Sequence, residues 1–217
     1  MNPNILELIR CIHKNNIAVS FPTNFSFRFK DSEIEGLAKS GLDKIFISLD
    51  GASQATLEKY RVGSNFELIL SNVKNLASLK KKNGLSRPII VWKFIIFEHN
   101  KHEINIVKEK HKLFGFDAYE FVYNSAGDKA RTIREKTRNK RIKKGKNCYW
   151  LWHIMVIQSD GQVNPCCNGK NFEIGNAFDS NIHDLWNSNT YQNLRNGFRK
   201  DNFPSKLHKF CKRCYRY

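Results

Sequence analysis

Apolar residues recur through the first half of the chain in two alternating rhythms, one helical and one of short buried runs. Ile5, Leu8, Ile9 and Ile12 share a helical face behind a cap at Asn2-Pro3-Asn4, and Cys11 within that helix reads as a packing residue. Ile17 to Pro22 reads as a short strand ending in Thr23-Asn24. Asp31-Ser32 caps a helix with Ile34, Leu37 and Ala38 inward, and Gly41 ends it. Lys44 to Leu49 is a buried-type strand closed by Asp50-Gly51, and a helical stretch follows Ser53. A longer helix runs from Phe66 to Lys82, with Leu68, Ile69, Val73, Leu76 and Leu79 on one side. Ile89 to Phe97 is the longest strand; Glu103 to Phe114 is a helix and Ala118 to Tyr123 a strand. Strands separated by helices of this length imply parallel βα units. Ligands in such folds gather at the C-terminal strand ends, here Thr23-Asn24, Ser48-Leu49-Asp50-Gly51 and Glu98-His99-Asn100.

The rhythm stops at Asp128 to Lys146, a strongly basic stretch with few apolar residues that reads as a linker. Beyond it, Leu151 to Ile157 is apolar and partly β-branched, Ser159-Asp160-Gly161 is turn-forming, and Gln162 to Asn164 returns towards Pro165. This predicts a hairpin with Cys148 just before its first strand and Cys166 and Cys167 just after its second. Ile182, Leu185, Trp186, Leu194 and Phe198 then line one face of a broken helix, ahead of Cys211-Lys-Arg-Cys214.

Composition changes the picture in three ways. At 217 residues and 41% hydrophobic, the chain has material for one large or two small domains. No apolar run approaches the ~20 residues of a membrane helix, nothing reads as a secretory signal, and no internal repeat is visible, so the expected setting is the cytoplasm, away from membranes. The formal charge of +17 is of the kind that accompanies polyanion binding. The joint abundance of Lys, Asn, Ile and Phe reads instead as a compositional bias, and nucleic acid stays as an alternative partner.

Five of the six cysteines fall in the last third. Disulfides would need an oxidising compartment. A closing hairpin brings Cys148 near Cys166, and the terminal C-x-x-C adds Cys211 and Cys214. Four thiolates from two chain segments hold zinc or an iron–sulfur cluster. Cys167 is read as a neighbour, since adjacent cysteines rarely serve one metal centre.

The pattern C…LW…I…DG.V.PCC…GN…I.DLWNS..Y..LR…C..C resembles the SPASM domain, the auxiliary iron–sulfur module of many radical SAM enzymes. Upstream, T-N, then L-A-K-S-G-L-D-K-I-F-I-S-L-D-G-A-S-Q-A-T-L-E-K-Y-R and V-W-K-F-I-I-F-E-H-N resemble the later βα units of the radical SAM partial barrel. The resemblance implies an α/β fold: the C-terminal part of a partial (β/α)6 barrel over residues 1–127, a basic linker over 128–146, and a small α+β SPASM domain over 147–217. It implies an auxiliary [4Fe–4S] cluster on Cys148, Cys166, Cys211 and Cys214. For the full-length enzyme it implies S-adenosylmethionine, an electron donor, oxidoreductase-type radical chemistry, and a peptide, protein or sugar substrate. Ser48 and Asp50 match the strand-end motif that contacts the cofactor's ribose, and Arg61 matches an arginine that meets its carboxylate. Asn24 matches a T-N-G whose glycine is here Phe25.

The C-x-x-x-C-x-x-C loop and the Gly-Gly-Glu-Pro-like stretch that open radical SAM enzymes do not occur in this sequence. The chain therefore reads as beginning inside the barrel, either as the C-terminal portion of a longer enzyme or as a truncated gene product that keeps only the auxiliary cluster, and is expected to be inactive alone. Two readings from other classes stand beside it: a zinc-binding structural or interaction module, and a basic nucleic-acid-binding protein.

Overall fold

The computed structural model describes residues 2–123, 148–167, 172, 174–199 and 208–212. The chain divides into two compact units, Met1–Asn124 and Ser125–Tyr217. The basic stretch Asp128 to Lys146 and Cys214 lie outside the described residues.

In the first unit, helix α1 (Ile5–Lys14), strand β1 (Ser20–Thr23), α2 (Asp31–Ala38), β2 (Lys44–Ser48), α3 (Gln54–Leu57) and α4 (Phe66–Lys82) are followed by β3 (Ile89–Ile96). A 3-10 turn at Lys101–Glu103 then runs into α5 (Ile104–Lys110), and β4 (Ala118–Tyr123) closes the unit. The strands lie in sequence order, β1-β2-β3-β4, and every neighbouring pair is parallel. This is the expected α/β architecture. Helical connections return the chain to the same edge after each strand, so all four strands point one way.

The periodicity explains which side chains fill the core. Ile45 and Ile47 of β2 and Ile90, Trp92 and Phe94 of β3 are completely buried. Trp92 stacks on Phe116 at 5.0 Å, and its Nε1 donates to the Leu49 carbonyl at 2.6 Å. From α4 come Ile69, Val73 and Leu76, all without exposure. Burying each such side chain contributes about 1.5–3 kcal/mol. The outer strands β1 and β4 hold no fully buried residue. Beside β1 lies a cavity of about 350 Å³ lined by residues that include Ile5, Leu6, Phe21, Phe25 and Phe29.

Several expectations shift. Cys11 is exposed, not packed, because α1 turns Ile9 inward with half-buried Ile5 and Leu6 beside it, and that face leaves Cys11 and Leu8 outside. The first strand starts at Ser20, with Ile17 left exposed. Lys30 rather than Asp31 caps α2: its backbone N–H donates to the Glu33 carboxylate at 2.7 Å.

The second unit contains the expected hairpin, but a much shorter one. Strands β5 (Val156–Ile157) and β6 (Val163–Asn164) pair antiparallel, Val156 with Asn164 and Ile157 with Val163. The run expected as the start of the first strand is instead a helix, Tyr149–His153. Pro165, with no N–H, ends the return strand two residues after it starts, so residues before Val156 have no ladder to join. The helix finds its own partners. Tyr149 stacks on His153 at 4.2 Å, and Arg195 Nε donates to the Leu151 carbonyl at 2.9 Å. Gly161 makes the turn at φ +83°, where a Cβ would lie 2.1 Å from Asn176 Oδ1; no other residue fits. Residues 175–177 extend the hairpin: Val163 N donates to the Gly175 carbonyl at 3.0 Å, and Ala177 N to that of Gly161 at 2.8 Å. The broken helix is Ile182–Trp186 and Asn189–Asn196, interrupted where Ser188 caps the second piece. A last helical turn spans Lys209–Lys212. A second core of Leu151, Val163, Phe172, Ile174, Leu185, Tyr191, Leu194 and Phe198 holds this unit together.

Candidate cofactor and cluster sites

In the first unit, polar groups converge where β2 and β3 end. Asp50 is completely buried. Its Oδ2 accepts from Arg61 Nε at 2.6 Å, and its Oδ1 from the Ile95 backbone N–H at 2.6 Å. Burial pushes the Asp50 carboxyl above its ordinary range, while the Ile95 N–H and the charges of Arg61 and Lys93 pull the other way. Gly51 follows because a Cβ there would meet the Leu57 backbone nitrogen at 2.4 Å. Arg61 extends over the Tyr60 ring at 5.5 Å, and Tyr60 packs on Phe97 at 4.4 Å.

Two residues the sequence reading gave no role complete this network. Asn100, fully buried, donates to the carbonyls of Asp50 at 3.0 Å and Ile95 at 2.8 Å, and accepts from Phe97 N at 2.7 Å. Glu103, also buried, accepts from Ala52 N at 2.8 Å and from Ser53 Oγ at 3.2 Å. The loops after β2 and β3 are thereby tied together. A buried asparagine after a strand, with a glutamate three residues on at a helix start, was the available signal.

Of the residues proposed to meet the cofactor, Asp50 and Arg61 are joined directly. Ser48, half-buried, ends β2 opposite Lys93. Asn24 is exposed just past β1, its Oδ1 accepting from Ser26 N at 3.4 Å. Phe25 adopts φ +53°, the left-handed conformation natural to the glycine it replaces, with its ring 1% exposed and 4.9 Å from Phe29. Asn72 Nδ2 donates to the Phe25 carbonyl at 3.0 Å.

In the second unit, two of the four proposed ligands pack against one core. Cys148 and Cys211, both half-buried, pack against it. Cys166, also half-buried, stands close enough to Tyr191 for a thiolate there to raise the phenol's ionisation, which burial foremost pushes up to about 12. Cys167 is exposed. Among the described residues, no three His, Cys, Asp or Glu side chains converge on a single ion; the fourth proposed ligand, Cys214, is not among them. Tyr191 is fully buried, and among the described residues its hydroxyl is unpartnered, as is the buried Nη2 of Arg195. Orphaned donors beside a half-buried cysteine fit an anionic, sulfur-rich group.

Residues 148–215 match the family model of the SPASM domain, an iron–sulfur cluster-binding domain. This part of the chain is therefore a SPASM domain. Among solved structures, the chain is similar to SuiB of Streptococcus suis, with a TM-score of 0.64 and 15% identity over 89% of this chain and 54% of SuiB. It is likewise similar to SuiB bound to the precursor peptide SuiA, with a TM-score of 0.62 and 15% identity over 89% of this chain and 53% of that one. The chain spans about half the length of these structures. No curated protein matches it significantly. The domain match concerns residues 148–215, and the likeness to SuiB concerns the fold. Among the described residues, no helix is long and apolar enough to cross a membrane.

Proposed function

We propose that this chain forms part of a radical SAM/SPASM oxidoreductase of the cytoplasm, carrying an auxiliary [4Fe–4S] cluster on Cys148, Cys166, Cys211 and Cys214. The observation that carries this is the SPASM match over residues 148–215, whose half-buried Cys148 and Cys211 pack against one core. Such a cluster supplies one-electron chemistry when bound. The protein's part is to hold it with thiolates, shield it with Leu151, Leu194 and Phe198, and set its charge environment.

The first unit supplies one wall of an S-adenosylmethionine pocket, at Asn24, Ser48, Asp50 and Arg61. The Asp50–Arg61 pair runs through Nε, which fixes the guanidinium plane and leaves its outer edge directed by that bond. Arg61 then meets the cofactor's carboxylate and Ser48 borders the ribose, while the buried Asp50 lies behind them and holds Arg61 in place. The substrate proposed for the full-length enzyme is a peptide; the fold it shares with SuiB, a protein seen with the precursor peptide SuiA, supports this.

The chain by itself is proposed to be inactive, since no C-x-x-x-C-x-x-C occurs in its sequence. Positioning the cofactor does not replace an electron donor in contact with it. The test is anaerobic incubation of the reconstituted chain with S-adenosylmethionine and a strong reductant, assayed for 5′-deoxyadenosine. No product is expected above a cysteine-free control. Catalytic, cysteine-dependent formation would overturn the assignment.

A further inference from the structure

Every hydrogen-bonding group sealed inside a protein is normally matched, because an unmatched one costs about 1–3 kcal/mol. The second unit breaks this rule at two neighbouring side chains. Tyr191 has no solvent exposure, and among the described residues its hydroxyl has no partner. One helical turn further on, Arg195 spends Nε on the Leu151 carbonyl at 2.9 Å and Nη1 on the Trp186 carbonyl at 3.0 Å, while buried Nη2 bonds nothing among the described residues. The guanidinium lies over the Tyr191 ring at 4.8 Å and the Trp186 ring at 4.4 Å. The two residues are four apart on the helix Asn189–Asn196, so they share a face. Cys148 and Cys211 pack against the same core that holds Tyr191, and Cys166 is near enough for its charge to act on the phenol.

A guanidinium N–H could donate to the phenol oxygen, yet the two are not bonded to each other, and among the described residues neither finds another partner. An apolar core needs neither a positive charge nor a hydroxyl. A neutral zinc-free thiol would leave the charge unbalanced. What satisfies both is an anion with several soft acceptors, held by the cysteines beside this core.

We propose that Tyr191 and Arg195 form the polar wall of the cluster site, the hydroxyl donating to a sulfur of the cluster or its thiolates and the guanidinium offsetting its negative charge. This rests on the cluster reading above. Both are positioning residues, and their common effect is on electron affinity. Hydrogen bonds to sulfur and nearby positive charge favour the reduced cluster, which carries one more negative charge. Removing either lowers the reduction potential.

The experiment is a redox titration of the anaerobically reconstituted full chain, wild type and Tyr191→Phe, with iron content and apo-protein urea midpoint measured alongside. Tyr191→Phe is expected to leave the apo midpoint unchanged or higher, since the hydroxyl has no partner among the described residues. It is expected to make reduction roughly tenfold less favourable, a downward shift of about 59 mV for one electron. Loss of iron with an unchanged apo midpoint would equally show that the hydroxyl serves the cluster. An unchanged potential at full iron content, or iron loss together with a lowered apo midpoint, overturns the proposal. Arg195→Lys keeps the charge and is expected to hold the potential closer to wild type than Arg195→Gln; equal shifts would overturn the charge role. If the wild-type chain takes up no iron at all, the cluster reading fails first, and the two failures are told apart by that control.

Discussion

Arg61→Met removes the cation from a carboxylate that has no access to water. Asp50 keeps its bond from the Ile95 N–H but loses the Arg61 Nε bond at 2.6 Å. At an effective dielectric of about 20, the pair attracts by roughly 6 kcal/mol before desolvation is counted. Stranding one member of a buried pair typically costs about 3–5 kcal/mol. Arg61 is itself 23% exposed, which weakens the pair, and the Ile95 N–H still holds the carboxylate, so the low end applies. We expect about 3 kcal/mol at pH 7.5. The pH dependence has a definite sign. Burial already raises the folded-state ionisation of Asp50, and losing Arg61 raises it further. Above the unfolded value the native state then binds more protons than the unfolded chain, so its stability falls as pH rises through that window. Each pH unit inside it is worth about 1.4 kcal/mol, and the penalty is smaller at pH 5 than at pH 7.5. The assay is hydrogen exchange by mass spectrometry on the β3 peptide, corrected for intrinsic rates. Three kcal/mol corresponds to exchange about a hundredfold faster at pH 7.5. Less than threefold acceleration, or a larger effect at pH 5, would refute the reasoning.

Other expectations follow from the same structure. Phe25→Gly relieves a left-handed backbone, worth about 1–2 kcal/mol, but empties a site whose ring is 1% exposed, at about 3–5 kcal/mol. The net effect is a loss of roughly 1–4 kcal/mol, read as a lower urea midpoint for the first unit; a raised midpoint would contradict it. Cys214→Ala is expected to abolish the visible absorption of the reconstituted protein, whereas Cys167→Ala, at an exposed position, keeps most of it. Comparable bleaching by both would reassign the ligands.

The first unit was legible because its signals are periodic and local. The helix Phe66–Lys82 and the strand Ala118–Tyr123 begin and end where the apolar pattern places them. The second unit was less so. An apolar run such as Leu151 to Ile157 suits helix or strand equally, and only the length of its partner strand decides. Cys11 shows the same limit: one helical face takes Ile9 inside and leaves its neighbour out. Asp50 and Arg61 could be singled out by motif, but their bond to each other joins residues eleven apart through a loop fold. Asn100 and Glu103 showed only as an asparagine and a glutamate after a strand, and Tyr191 and Arg195 only as letters of the domain pattern, because their roles depend on burial and on the neighbours the fold brings.

The account rests most heavily on the nature of the group that the cysteines hold. Anaerobic reconstitution of the full chain with both iron and zinc present, followed by metal analysis and Mössbauer spectroscopy, tests it directly. We predict a brown protein with about four irons and matching sulfide per chain, in the spectrum of a [4Fe–4S] cluster. One zinc per chain, no bound iron and no visible absorption would contradict it, and would favour the structural zinc module instead.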